Sequence, residues 1–439
     1  MTRPKKIPQL IRKLLPLLRT VVSRGLGAVS QLLLAWVVAR GLTKDETGEF
    51  LFYLTCFTIL SPLTLLGTFQ YAMRELSRFE SITDEARSVA TDLVTLHSRA
   101  LLIATTVLLS IGWLVDRGLG DSATYGFFAG NALRLAIGSL TAAIAVAVSG
   151  HLHGLRRLAS SIFFSHIGVP AITVGLVLVF RPSTADQVIS CHLVACLVMA
   201  MLAVASWCWI IAPNRVPPLS PLVRKIPRES FDFWSLNACQ LVMNWSPLVI
   251  AGYFLATAEI AEVNLAQRAG NLINFLLIVV SFTFAPTFRF HHSQGDMAGL
   301  RHTVNQCSRY LIGLGSILFA AVIVGAPLIM SSFGNHYRGS ATILCIYALG
   351  QYFNVITGSV NQLLTMCDHE RVLRNICWGS ATCSSCLALS LTPWLGPVGV
   401  ALATSMALIF QNVLAVMAVR RLLGFWVFDI RTQFGTSAA

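Results

Sequence analysis

Charge-free apolar runs about as long as a bilayer is thick recur along this chain of 439 residues, and nothing constrains its fold more. A membrane-spanning helix needs roughly 20 mostly apolar residues. Runs at 50–73, 158–180, 233–258, 269–288, 310–335 and 339–367 meet that length without a charge, and 188–212 carries only His192 as a titratable group. The run 375–419 is too long for one crossing and splits at Thr392-Pro-Trp-Leu-Gly-Pro-Val-Gly399, whose prolines and glycines make a turn. Three further stretches, about 20–39 with Arg24, 100–115, and 126–149 with Arg134, bring the expected spans to twelve.

Composition agrees. Only 12% of the residues are charged and 55% are hydrophobic, against about 25% charged in a soluble chain. So little polar surface cannot wrap a water-soluble domain, and nucleic-acid binding and disorder are excluded with it. The net charge of +13 has a topological meaning instead. With both termini cytoplasmic, inner segments hold 24 of the 32 lysines and arginines, outer loops hold Arg40, Lys44, Arg117, Arg181 and Arg338, and Arg24, Arg134 and Arg268 lie within spans. Lys and Arg favour cytoplasmic loops, so this alternation supports span number and orientation together. The basic residues 1–19 read as a cytoplasmic tail, since no short apolar segment with a small-residue cleavage site follows. The chain is thus expected to cross its membrane many times, with both termini cytoplasmic.

The chain divides 6+6 at the proline-rich segment 213–221, giving an N-terminal lobe of 1–214 and a C-terminal lobe of 215–439. A faint repeat at an offset of 213 supports the division: Leu42, Glu46 and Glu49 coincide with Leu255, Glu259 and Glu262. Six spans between copies keep both halves in one orientation. The fold class expected is therefore an all-α polytopic membrane protein, two six-helix lobes forming a parallel pseudo-repeat around a central cavity, where transporters bind substrate.

Polar residues recur at helical spacing inside five spans. The first has Arg24, Gly27 and Gln31; the fourth Asn131, Arg134, Gly138 and Thr141. The seventh has Asn237, Gln240 and Asn244, and the eighth Gln267, Asn271 and Asn274 beside Arg268. The tenth has Gln351, Asn354, Gly358 and Asn361. Each set marks one helix face. Amides can simply cement helices together, but an arginine at the bilayer centre costs at least ~2.5–3.5 kcal/mol, which cementing does not require. A guanidinium stays ionised and forks onto phosphate oxygens. Arg24, Arg134 and Arg268, with the amides of the five stripes, are the candidate substrate-binding residues, and phosphate or pyrophosphate is the expected ligand chemistry. Arg134 is expected about 12 Å deep, eight residues into its span at 1.5 Å each, with no acidic residue on its stripe; Asp232 and Glu262 are the candidate carboxylate partners of the arginines. Apart from Glu49, Asp232 and Glu262 at helix ends, no expected span carries Asp or Glu, so no coupling carboxylate is visible. Most of the cysteines lie in or beside spans, where they act as small apolar residues; Cys383-Ser-Ser-Cys386 has CxxC spacing but no second ligand pair. No metal or cofactor is called for.

The stretch Gln31-Leu-Leu-Leu-Ala-Trp-Val-Val-Ala-Arg-Gly-Leu-Thr-Lys-Asp-Glu-Thr-Gly-Glu-Phe50 resembles the opening of polysaccharide flippases of the multidrug/oligosaccharidyl-lipid/polysaccharide exporter superfamily. The second span's exit, Leu65-Leu-Gly-Thr-Phe-Gln-Tyr-Ala-Met-Arg74, and the twelfth span's start, Gly396-Pro-Val-Gly-Val-Ala-Leu-Ala403, are similar to that family's patterns. The resemblance implies transfer of a lipid-linked oligosaccharide, usually on undecaprenyl pyrophosphate, from the inner to the outer leaflet by alternating access. It also implies a role for Arg24, which stands where related flippases use a first-helix arginine. Ala261 departs from the pattern, standing where the first repeat copy has Gly48. The implied partners are the lipid-linked oligosaccharide, membrane lipids, and a polysaccharide polymerase or export protein. A multidrug or metabolite exporter of the same fold is the alternative. An enzyme is not expected, because the outer loops are too short to hold a catalytic site.

Overall fold

The computed structural model describes residues 25–79, 81–118, 123–212 and 226–427. Its regular elements are all helical, and no strand occurs among the described residues. Each of the twelve expected spans overlaps a helix or helices in direct succession. In chain order these are α1 (Gly25–Gly41), the pair α2 (Lys44–Leu63) and α3 (Thr68–Leu76), α4 (Asp84–Gly118) and α5 (Ala123–Gly154). The fifth is α6 (Leu158–Ile162) running through a π turn (Phe163–Ile167) into α7 (Gly168–Phe180), followed by α8 (Ala185–Ile211). Then come α9 (Arg228–Phe254), α10 (Thr257–Ser293) and α11 (Met297–Phe333). A 3-10 turn (Asn335–Ser340) leads to the pair α12 (Ala341–Ile356) and α13 (Val360–Met366), and α14 (Glu370–Leu395) and α15 (Pro397–Leu423) close the series. Seven of these helical stretches are long and apolar enough to cross a membrane, or eight with the bent pair α2–α3 as one span. Side chains such as Val324 (84% exposed) and Trp394 (88%) present apolar surface outward, which water would not tolerate on this scale and lipid does. The chain is a multi-span membrane protein.

Local chemistry sets the helix ends and breaks. Thr43 and Thr184 cap α2 and α8 by accepting from the amides of Glu46 and Gln187, satisfying donors that a helix start leaves free. The second span bends by 49° between α2 and α3, where Leu66 and Gly67 both adopt left-handed backbone. In the fifth span Pro170 supplies no amide hydrogen, and the helix just before it widens so that the Gly168 N–H reaches back to the Phe163 carbonyl. The tenth span stops at Ile356 and restarts at Val360. Its polar stripe is therefore not one helix face: Gln351 and Asn354 lie on α12, whereas Gly358 is in the break and Asn361 is on α13.

The chain forms two compact units: Met1–Ala238 with Ala256–Ala261, and Cys239–Leu255 with Glu262–Ala439. The division expected between residues 214 and 215 lies outside the described residues, and the described chain passes from one unit to the other within α9. The first turns of α9 belong to the first unit because they pack on the α2–α3 bend. Trp234 Nε1 donates to the Leu63 carbonyl at 3.2 Å, and a Cβ on Gly67 would lie 1.9 Å from the Ser230 carbonyl oxygen. Within that unit α5 packs against α2, α3, α4, α6 and α8; within the second, α15 packs against α12, α13 and α14. The sequence repeat is also a structural one. Gly41 ends α1 and Lys44 starts α2, and at the same offset of 213 Phe254 ends α9 and Thr257 starts α10.

Candidate functional site

In the second unit, α10 carries Asn264, Gln267, Arg268, Asn271 and Asn274 along one side. A hydrogen-bonded series of amides leads away from Asn271 and Asn274. Asn271 Oδ1 accepts from Gln351 Nε2 at 2.8 Å, and Asn274 Oδ1 accepts from Asn354 Nδ2 at 3.1 Å. Asn354 Oδ1 accepts in turn from Asn412 Nδ2 of α15 at 3.1 Å, and Asn412 Oδ1 accepts from Thr357 Oγ1 at 3.1 Å. The series joins α10, α12 and α15, all with amide partners that a hydrocarbon surrounding would not supply.

A second set links α9 to α10 and α14. Gln267 Nε2 donates to the Asn244 carbonyl at 2.8 Å, Asn244 Nδ2 to the Gln240 carbonyl at 2.7 Å, and Gln240 Nε2 to Cys377 Sγ at 3.0 Å. Gln411 Nε2 reaches the same sulfur at 3.4 Å. Asn237, one turn earlier on α9, is half-buried and belongs to the first unit.

Arg268 lies on α10 between Gln267 of one set and Asn271 of the other. Its side chain is buried, at 8% exposure. Nε donates to Asn264 Oδ1 at 2.6 Å, and Cζ lies 5.7 Å from the Trp245 ring centroid, within cation–π reach. Nη2 meets no acceptor, and Gln267 Oε1, Gln351 Oε1 and Gln411 Oε1 of the two sets meet no donor. Among the described residues no carboxylate pairs with this guanidinium. A buried, permanently charged fork with a free donor edge is chemically suited to an oxyanion.

The first unit corrects the expectation for Arg134. Its guanidinium forms an ion pair with Asp186 and donates to Asn131 Oδ1 at 3.3 Å. Asp186 sits in the first turn of α8, so Arg134 lies level with a helix end, and its side chain is 38% exposed. The stripe on α5 carries no acid because the acid comes from another helix, 52 residues away. Asn131 is buried beside it, whereas Gln31 on α1 is exposed. Arg24 lies outside the described residues.

No family model matches the chain, and no curated protein does. Solved structures do. The chain is similar to the lipid II flippase MurJ in an inward closed conformation, with 16% identity over 95% of this chain and 93% of that one, at a TM-score of 0.65. It is similar to an inward-facing multidrug resistance MATE transporter of the MOP superfamily, with 12% identity over 94% and 96% of the two chains, at 0.67. A MOP-superfamily transporter from Pyrococcus furiosus, described as having a binding pocket of reversed polarity, matches with 12% identity over 93% and 95%, at 0.61. The chain shares its fold with these solved structures. At these identities the likeness concerns the fold alone.

Within this fold, four participants escaped the sequence reading. Gln411 and Asn412 form an adjacent amide pair in the apolar α15, a signal present in the sequence but hidden inside the long run 375–419. Asn264 precedes the expected start of the eighth span, although it sits four residues before Arg268 on the same face. Cys377 was legible only as a small apolar residue, and its role as acceptor for two glutamines is a product of packing.

Proposed function

We propose that the chain is a flippase that moves a lipid-linked oligosaccharide from the inner to the outer leaflet by alternating access. The single observation supporting this most is Arg268: a buried guanidinium with a free donor edge and, among the described residues, without a carboxylate partner. An exporter of neutral or cationic compounds has no use for such a group, whereas a pyrophosphate-linked lipid supplies the missing oxyanion. Undecaprenyl pyrophosphate is the carrier proposed, with the neighbouring amides hydrogen-bonding the first sugars. Arg24 joins Arg268 in this reading, and Arg134 acts through its pairing with Asp186. The protein would reside in the bacterial inner membrane with both termini cytoplasmic. It would serve surface polysaccharide (O-antigen or exopolysaccharide) synthesis, alongside a polymerase or export partner.

The test is surface polysaccharide in cells expressing Arg268→Ala or Arg268→Lys at wild-type protein levels. Loss of polysaccharide in Arg268→Ala, with partial retention in Arg268→Lys, is expected. Normal polysaccharide in Arg268→Ala would refute the anion assignment. Raised drug susceptibility of a deletion strain with polysaccharide intact would instead favour the drug-exporter alternative.

A further inference from the structure

Two histidines that belong to none of the polar stripes face each other in the apolar core of the first unit. His97 of α4 and His151 of α5 are 5% and 1% exposed. Their Nε2 atoms lie 3.1 Å apart. Ala72, Leu93, Leu96, Val148, Leu152 and Ala203 belong to the cluster around them. His151 Nδ1 accepts from Trp207 Nε1 of α8 at 2.8 Å, and His97 Nδ1 is 2.8 Å from Thr68 Oγ1 at the start of α3. The Thr68 hydroxyl itself donates to the Leu65 carbonyl at 2.6 Å.

These contacts determine every proton. An indole N–H can only donate, so His151 Nδ1 carries no hydrogen and its proton is on Nε2. That proton fills the gap to His97 Nε2, which must accept, leaving the His97 proton on Nδ1, where it is donated to Thr68. The result is one directed chain, Trp207 to His151 to His97 to Thr68 to Leu65, with both rings neutral. Only one hydrogen fits between the two Nε2 atoms. A further proton that leaves their mutual bond intact therefore ends on His151 Nδ1, facing the Trp207 N–H. Two donors then oppose each other, and the Trp207 bond must break.

We propose that the His97–His151 pair is a proton-binding site whose filling unlatches α8 from α4 and α5. In the neutral chain Trp207 ties α8 to His151; with one proton added the tie is lost, and the packing of those three helices is free to change. Besides the two histidines, the titratable groups on the four packed elements are Tyr71, Arg74 and Glu75 of α3, Asp84, Glu85, Arg87, Asp92, Arg99, Asp116 and Arg117 of α4, Tyr125, Arg134 and His153 of α5, and Asp186, His192 and the cysteines of α8. Arg74 and Glu75 are paired at 3.7 Å, and Arg134 pairs with Asp186. A proton site of this kind would supply the coupling ion that the carboxylate-poor spans lack. That link to transport rests on the proposed function, whereas the latch does not.

The test uses the full-length protein in lipid nanodiscs without substrate, labelled with 15N in histidine and tryptophan, between pH 8 and pH 5. At pH 8, His97 is expected as the Nδ1–H tautomer and His151 as the Nε2–H tautomer. On acidification one imidazolium per chain forms, and the Trp207 indole resonance moves to its unbonded position together with it. His151→Gln keeps an acceptor for Trp207 and a donor for His97, so its indole bond should persist at every pH. If His151→Gln does not fold, Trp207→Phe removes the opposing donor, and proton uptake should begin at a pH about 0.5–1 unit higher than in the wild type, the worth of one hydrogen bond. An indole bond that persists in the wild type at pH 5, or the same pH response in His151→Gln, overturns the proposal. Neither result bears on Arg268 or on whether polysaccharide is exported.

Discussion

Gly67 is the position at which one methyl group should do most damage. Two independent penalties meet there. Its φ of 75° is left-handed, which costs a residue with a Cβ about 1–2 kcal/mol. A Cβ would also stand 1.9 Å from the backbone oxygen of Ser230. Backbone cannot rotate aside as a side chain does, so α9 must retreat from the α2–α3 bend, an overpacking cost of about 1–3 kcal/mol. Together Gly67→Ala should lose about 2–5 kcal/mol, a large part of a typical folding stability of about 5–15 kcal/mol. Two other glycines separate the terms. Gly424 has φ 79° and open space within 4 Å of where a Cβ would stand, so Gly424→Ala reports the backbone cost alone. Gly48 is helical, yet its Cβ would lie 1.8 Å from the Thr257 oxygen, so Gly48→Ala reports the overlap alone. Equilibrium unfolding of the three variants in mixed micelles is the assay. If Gly67→Ala is no less stable than Gly424→Ala, the close approach of α9 to the bend is refuted.

Three further outcomes are expected. Reversing the pair as Arg134→Asp with Asp186→Arg should restore most of the transport lost by Arg134→Asp alone, with a stability change within about 1 kcal/mol because the pair is partly exposed; no recovery in the double variant would show that Arg134 acts outside this pair. Asn354→Leu leaves Asn274 Oδ1 and Asn412 Nδ2 without their partner, and should lower stability by about 1–3 kcal/mol in the same unfolding assay; unchanged stability would mean that the amide series does not hold these helices together. Asp296 caps α11 by accepting from the Gly299 amide at 2.8 Å, and that bond, with His291, keeps its carboxyl below the usual carboxylate range. Its contribution is therefore present above the ordinary carboxylate value and fades as pH falls through the lowered one. Hydrogen exchange at the start of α11 should accelerate only below about pH 4 in the wild type but at every pH in Asp296→Ala.

The spans were legible in the sequence because a bilayer punishes every exposed charge and unpaired peptide group, so helix length and apolar composition are written locally, residue by residue. The 213-residue repeat was legible for a related reason: turn and cap chemistry at Thr43 and the start of α10 is local too. Which polar residues meet was not. Asp186 reaches Arg134 from a different helix, Asn412 closes an amide series begun on α10, and His97 finds His151 across 54 residues. Helical periodicity gives the face a side chain occupies but not what that face packs against. Tertiary structure alone therefore decided that Arg134 is neutralised and that Arg268 keeps a free donor edge, since pairing depends on distances of a few ångströms between elements whose mutual placement no single helix encodes.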